Sequence, residues 1–116
     1  MKRYTIGLIT LLLIVGCSKP LDYNMLVEWG GKRLLDGKPY SGDVLKKYSD
    51  GGKEFKGSYK NGKKNGKWMY WNENGQKDSE INYKNGKKDG VETEWFSNGE
   101  ISSEKIYEDG ELISSK

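Results

Sequence analysis

Residues 53–107 alternate between short apolar runs and turn-forming dipeptides. In the segments 53–59, 77–83 and 101–107 (KEFKGSY, KDSEINY and ISSEKIY), one parity holds Phe55, Tyr59, Ile81, Tyr83, Ile101 and Tyr107. The other holds Glu54, Lys56, Ser58, Asp78, Glu80, Asn82, Ser102 and Glu104, with Ile106 the exception. Successive side chains of a strand point to opposite faces, so this period of two predicts strands with one apolar and one polar face. The intervening segments are VLKKY (44–48), WMYWN (68–72) and ETEWF (92–96). They place Trp68, Tyr70 and Phe96 on one parity, and Leu45, Met69, Trp71 and Trp95 on the other. If Asn74-Gly75 is a two-residue turn, Asn72 faces Lys77, Tyr70 faces Ser79 and Trp68 faces Ile81. A turn one residue longer exchanges the faces, so register stays open at this level.

Asn-Gly or Asp-Gly recurs at 36–37, 50–51, 61–62, 74–75, 85–86, 98–99 and 109–110. Both dipeptides tolerate the positive φ of type I′ turns and are strong hairpin signals. Two strands and two turns make a 24-residue unit, and YKNGKKNG (59–66) returns as YKNGKKDG (83–90). The units run 36–60, 61–84 and 85–108, with a truncated fourth at 109–116. The predicted fold is all-β: an elongated, single-layer antiparallel sheet of stacked β-hairpin repeats of about 24 residues. Tyr59, Tyr83 and Tyr107 form one periodic set, Trp71 and Trp95 another, so stacking would build aromatic ladders in place of a thick core. Residues 25–35 read as a hairpin through Gly30-Gly31 that caps the array, whose open end would otherwise expose an edge. In the DGKPYSG loop of the first unit, Pro39 lacks a backbone donor and suits a loop.

Composition sharpens this picture. The chain of 116 residues has 16 Gly, no Ala and no His, with 32% charged residues and a mean hydropathy of −0.89. Without Ala long helices are disfavoured, and without His the usual general base and metal ligand are missing. The N-terminus differs in kind. Lys2 and Arg3 precede an apolar stretch at 6–15, which is too short to span a membrane and reads as a signal peptide over 1–16. It ends in Ile14-Val15-Gly16-Cys17, which resembles a bacterial lipobox. That resemblance implies lipidation of Cys17, the only cysteine, with residues 17–24 as a tether from the membrane. Ser18 after the cysteine then implies the outer membrane where a cell has two. Loss of Lys2 and Arg3 reduces 20 basic residues to 18 against 17 acidic ones, a net of +1, so a nucleic-acid footprint is absent.

The recurring N/D-G-K-x-x-G, followed by an aromatic strand, a second turn and a strand ending in Tyr, resembles the bacterial variant of the MORN repeat family. NGKKNGKWMYWNENGQ and NGKKDGVETEWFSNGE carry the likeness best, and it covers about residues 25–113. The resemblance implies a ribbon of hairpins without established catalytic residues. Bacterial members are sometimes labelled antitoxin components, and eukaryotic relatives are associated with membranes, lipids and scaffolding.

Little in the chain suggests catalysis. GKKNGKW (62–68) has a spacer one residue short for a phosphate-binding loop, lacks Ser/Thr and leads into a strand. No metal or cofactor set is apparent. Glu92 with Glu94, and Asp78 with Glu80, read as solvated strand faces, with Glu92 opposite Lys105. Two sets suit interaction. Lys63, Lys64, Lys87 and Lys88 would share one edge, protecting it or meeting anionic lipid headgroups or envelope polymers. Trp68, Trp71 and Trp95 would either pack on one another or present a face to a peptide or glycan. The expectation is a lipid-anchored envelope protein that binds or scaffolds and does not catalyse. The alternative is an antitoxin- or immunity-type partner that neutralises a toxin by binding.

Overall fold

Short β-rich segments between turn dipeptides cannot each bury an apolar face alone, and they do so here by pairing in sequence order. The structure is a computed structural model describing residues 19–116; the leader at 1–16 and Cys17 lie outside the described residues. The strands are β1 (Leu21–Asp22), β2 (Val27–Trp29), β3 (Lys32–Leu35), β4 (Lys38–Pro39), β5 (Gly42–Lys47), β6 (Lys53–Lys60) and β7 (Lys63–Lys64). They continue as β8 (Gly66–Trp71), β9 (Lys77–Lys84), β10 (Lys87–Trp95), β11 (Ile101–Glu108) and β12 (Glu111–Ser115). The main sheet runs β1-β5-β6-β8-β9-β10-β11-β12, with β7 beside β6. All its pairs are antiparallel except β1 with β5. The sheet stays open, with β1 and β12 at its ends. The fold is therefore the predicted all-β array of hairpins.

Two expectations near the N-terminus are corrected. Residues 21–24, read as tether, are folded onto the first repeat: β1 pairs with β5, and the Tyr23 ring meets Phe55 edge-on at 4.8 Å. The DGKPYSG segment is not a plain loop, because Asp36-Gly37 joins β3 to β4 in a separate three-stranded sheet, β2-β3-β4. Pro39 sits on β4 opposite Leu34. As an edge strand β4 needs no donor on its free side, which is where a strand accepts proline.

The seven Asn/Asp-Gly dipeptides divide into two kinds. At 36–37, 61–62, 85–86 and 109–110 both residues have positive φ, about 50° then 80–90°, the two-residue type I′ turn. At 50–51, 74–75 and 98–99 only the glycine does, at 88–94°. There the loop is longer: the Asn72 N–H donates to the Gln76 carbonyl, and the Gly75 N–H to the Asn72 carbonyl, both at 2.9 Å. Asn74 contributes its side-chain oxygen, which accepts from the Gln76 N–H at 3.0 Å. Asp50 and Asn98 do the same for Gly52 and Glu100.

The longer loop settles the register. Trp68 faces Ile81 and Tyr70 faces Ser79, as expected for a simple turn, but then β9 accommodates Asp78 as an extra residue and Trp71, not Asn72, faces Lys77. The same shift recurs at Glu54 and Ser102. A bulge puts two residues against one, so the strand pairs keep one face towards the turn and exchange it at the end.

Equivalent positions of three repeats, Val44, Trp68 and Glu92, are all buried, at 0%, 1% and 6% exposure. Their cross-strand partners are Gly57, Ile81 and Lys105. The column thus changes from apolar to charged along the array. Trp68 anchors it: Phe55, Tyr59, Tyr70 and Tyr83 surround the indole with ring centroids 5.1–6.4 Å away. Its Nε1–H donates to the Ser58 carbonyl at 3.0 Å. Trp68 thus links Tyr59 to Tyr83 in the tyrosine set. Full burial of an indole is worth about 4–6 kcal/mol at ~25 cal/mol per Å².

Burial pushes the Tyr59 hydroxyl up to about 12, with nearby Arg33 pulling the other way. An unfolded tyrosine titrates near about 10. The unfolded chain therefore loses this proton first, so the stability linked to it is complete below pH ~10 and disappears as pH rises towards about 12. Burial raises Tyr70 and Tyr83 in the same direction. Urea unfolding is expected to show stability falling steeply through this alkaline window. Tyr59→Phe should flatten the fall by about 1–2 kcal/mol, leaving a smaller slope from the other two.

Candidate functional site: a basic groove along the turns

The recurring Asn-Gly-Lys-Lys phrase builds a flank of the ribbon. After the type I′ turns at 61–62 and 85–86 two lysines enter a strand, and the period of two sends them opposite ways. The first lies against the turn glycine of the next repeat. A Cβ added to Gly86 would stand 3.7 Å from the Lys63 Cβ, and one at Gly110 equally far from that of Lys87. The turns are also bonded repeat to repeat: the Gly86 N–H donates to the Lys64 carbonyl at 2.9 Å, and Gly110 to Lys88 at 2.8 Å. The second lysine turns inward over aromatic rings. Lys64 Nζ is 4.6 Å from the Trp68 ring centroid and 4.9 Å from that of Tyr83, and it donates to the Tyr70 hydroxyl at 3.0 Å. Lys88 Nζ stands 4.9 Å over Tyr107.

One earlier step of this pattern carries different letters. Gly30 and Gly31 both have positive φ, 60° and 76°. Lys32 then lies against Gly62, and Arg33 stands 5.0 Å over Tyr23 beside Tyr59. The hairpin at 25–35 is therefore more than a cap. Gly30-Gly31-Lys32-Arg33 follows the pattern only in part: Lys32 packs on Gly62 as Lys63 does on Gly86, but the Gly62 N–H donates to the Tyr40 carbonyl and the Arg33 N–H to the Gly62 carbonyl, both at 2.8 Å.

Between these steps lies an open groove of about 400 Å³. Its charged lining is Arg33, Lys63, Lys64 and Lys87, against the single carboxylate of Glu28. Tyr23 and Tyr59 form apolar wall, and the turn residues Gly31, Gly62, Asn85 and Gly86 complete it. Among the described residues Arg33, Lys63 and Lys64 belong to no ion pair, whereas Lys87 reaches exposed Asp109 at only 3.9 Å. The groove thus has four cations against one acid, three of them outside any ion pair among the described residues.

The third repeat neutralises itself. Lys88 donates to both carboxylate oxygens of Glu92, at 3.0 and 3.1 Å. Burial works against the charge on Lys88, but Glu92 offsets this and raises its pKa. Glu92 stands where Trp68 stands one repeat earlier, so that single difference switches the inward cation from free to paired.

The expected site residues thus separate. Lys63, Lys64 and Lys87 line the groove, while Lys88 does not. Trp68 is withdrawn from any interaction surface, because it is the buried anchor of the core. Trp71 and Trp95 lie outside the groove, half-buried beneath Lys53 and Lys77 at 5.2 and 5.1 Å. Glu92 is not solvated, since it is buried against Lys88. It does face Lys105 in register, but Lys105 pairs diagonally with Glu94 at 3.0 Å, and that contact lowers the Glu94 pKa. No three His, Cys, Asp or Glu residues cluster as a metal site among the described residues. Sequence reasoning missed Arg33, Tyr23 and Glu28. The signal for Arg33 was the Gly-Gly-Lys-Arg string, disguised because glycine replaces asparagine.

Comparison of this chain with protein-family models, with characterised proteins and with solved structures finds no match.

Proposed function

We propose that this is a lipid-anchored cell-envelope protein of MORN-like repeats, which binds or scaffolds and does not catalyse. The basic groove carries the reading: four cations and two tyrosine rings form a surface that can hold an anionic group. The lipobox-like Ile14-Val15-Gly16-Cys17 supplies the anchor in this proposal. Two or more acyl chains on Cys17 would hold the protein stably at a bilayer. Tethering raises the effective concentration of an envelope ligand near the groove, so modest intrinsic affinity suffices. Anionic headgroups and anionic envelope polymers are the ligands whose charge fits.

Acyl labelling with cell fractionation tests the anchor. Wild-type protein is expected to be labelled and to sediment with the envelope, and Cys17→Ser to be unlabelled and released. Unlabelled, cytoplasmic wild-type protein would overturn the lipoprotein reading.

A further inference from the structure

We propose that the groove takes a linear polyanion, a chain of repeating phosphate or carboxylate groups, running along the turns from Arg33 towards Lys87. This deepens the envelope-binding reading above and rests on it. Each repeat adds two strands, so equivalent side chains recur about every 10 Å along the ribbon. Lys63 and Lys87 are equivalent positions one repeat apart, and Arg33 lines the groove on the far side of Lys64 from Lys87 in chain order. The cations are therefore spaced along the turns and do not converge on one point. A single phosphate cannot reach both Lys63 and Lys87, whereas a polymer with spaced charges can.

Charge along the chain favours the same direction. Residues 19–88 carry 16 basic and 9 acidic side chains, a net of +7. Residues 89–116 carry 2 basic and 8 acidic ones, a net of −6. The acidic last repeat repels a polyanion, and Glu92 occupies Lys88, so the polymer is confined to the earlier steps. Tyr23 and Glu28, from the segment preceding the first turn, also line the groove. A flat bilayer surface would meet exposed Lys63 and Lys87 but not the inward Arg33 and Lys64.

Binding can be measured with the full chain in uncharged detergent micelles. The probes are linear polyphosphate, polyglutamate, orthophosphate at equal phosphate concentration, and micelles doped with an anionic phospholipid. One of the two polymers is expected to bind about 100-fold tighter per charge than orthophosphate, through multivalency. Which polymer wins distinguishes phosphate from carboxylate. Lys63→Gln with Lys87→Gln should weaken it roughly 30-fold, about fivefold per lysine, and should flatten the salt dependence. Lys38→Gln with Lys47→Gln removes the same charge from exposed positions outside the groove and should change little. Equal binding of orthophosphate per phosphate, equal losses in both double variants, or preference for doped micelles would each overturn the polymer. If the wild type still sediments with the envelope, only this inference fails. Absence of any anion binding together with release from the envelope would remove the proposed function as well.

Discussion

Trp68→Ala is expected to remove about 3–5 kcal/mol of stability, the usual cost of deleting a buried large aromatic. Total stabilities of small domains are about 5–15 kcal/mol, so this variant should be near or beyond unfolding at moderate temperature. The size of the effect follows from how little else is buried: Leu26, Val44 and Tyr59 are the other buried hydrophobic residues among those described. The same contact explains Gly57. A Cβ there would stand 2.1 and 2.2 Å from indole ring atoms, and a packed ring cannot swing aside as a flexible chain end could. Gly57→Ala is expected to cost about 2–4 kcal/mol, at the high end of overpacking. The decisive measurement is a double-mutant cycle by urea denaturation with Trp68→Val, which shrinks the ring to the residue found at position 44. In that background Gly57→Ala should cost much less. Equal costs in both backgrounds would mean that the indole is not what enforces glycine.

Gly62→Ala and Gly75→Ala are expected to differ although both glycines follow asparagine. Both have positive φ, 83° and 88°, and alanine in that region costs about 1–2 kcal/mol. At Gly75 the added methyl meets nothing within 4 Å, so strain is the whole effect. At Gly62 it meets the Lys32 Cβ at 2.8 Å and the Arg33 carbonyl oxygen at 3.1 Å. Relieving that contact must part β3 from the turn and break the Arg33 N–H bond to the Gly62 carbonyl, 2.8 Å long. The total should reach roughly 3–4 kcal/mol. The groove opens at the same place, so Gly62→Ala should also weaken anion binding while Gly75→Ala leaves it unchanged. Paired denaturation and binding curves check both halves.

How much of this was legible varied with the range of the interaction. The strands of the array follow from alternation such as Ile81, Asn82, Tyr83, and from turn dipeptides every dozen residues or so, both local properties of the backbone. The lysines of the groove were visible as a repeated phrase, and stacking of identical phrases placed them on one flank. Arg33 was not, because the Gly30-Gly31 turn that presents it shares backbone conformation, and not letters, with the Asn-Gly turns. Glu92 was misread for a related reason: as one of two glutamates on a strand it looks solvated. Its burial depends on Lys88, which the preceding turn brings over it.

The amino-acid sequence by itself determined the all-β class, the 24-residue period and the alternation of the strands at 53–59, 77–83 and 101–107, because dihedral preference and side-chain alternation act within a few residues. Only the tertiary structure decided which asparagine-glycine pairs are tight turns and which are longer loops. It also decided that Trp68 is core while Trp71 is half-covered, and that Lys64 is unpaired while Lys88 is neutralised. Those outcomes depend on what the neighbouring repeat places a few ångströms away, and identical local phrases meet different neighbours along the ribbon.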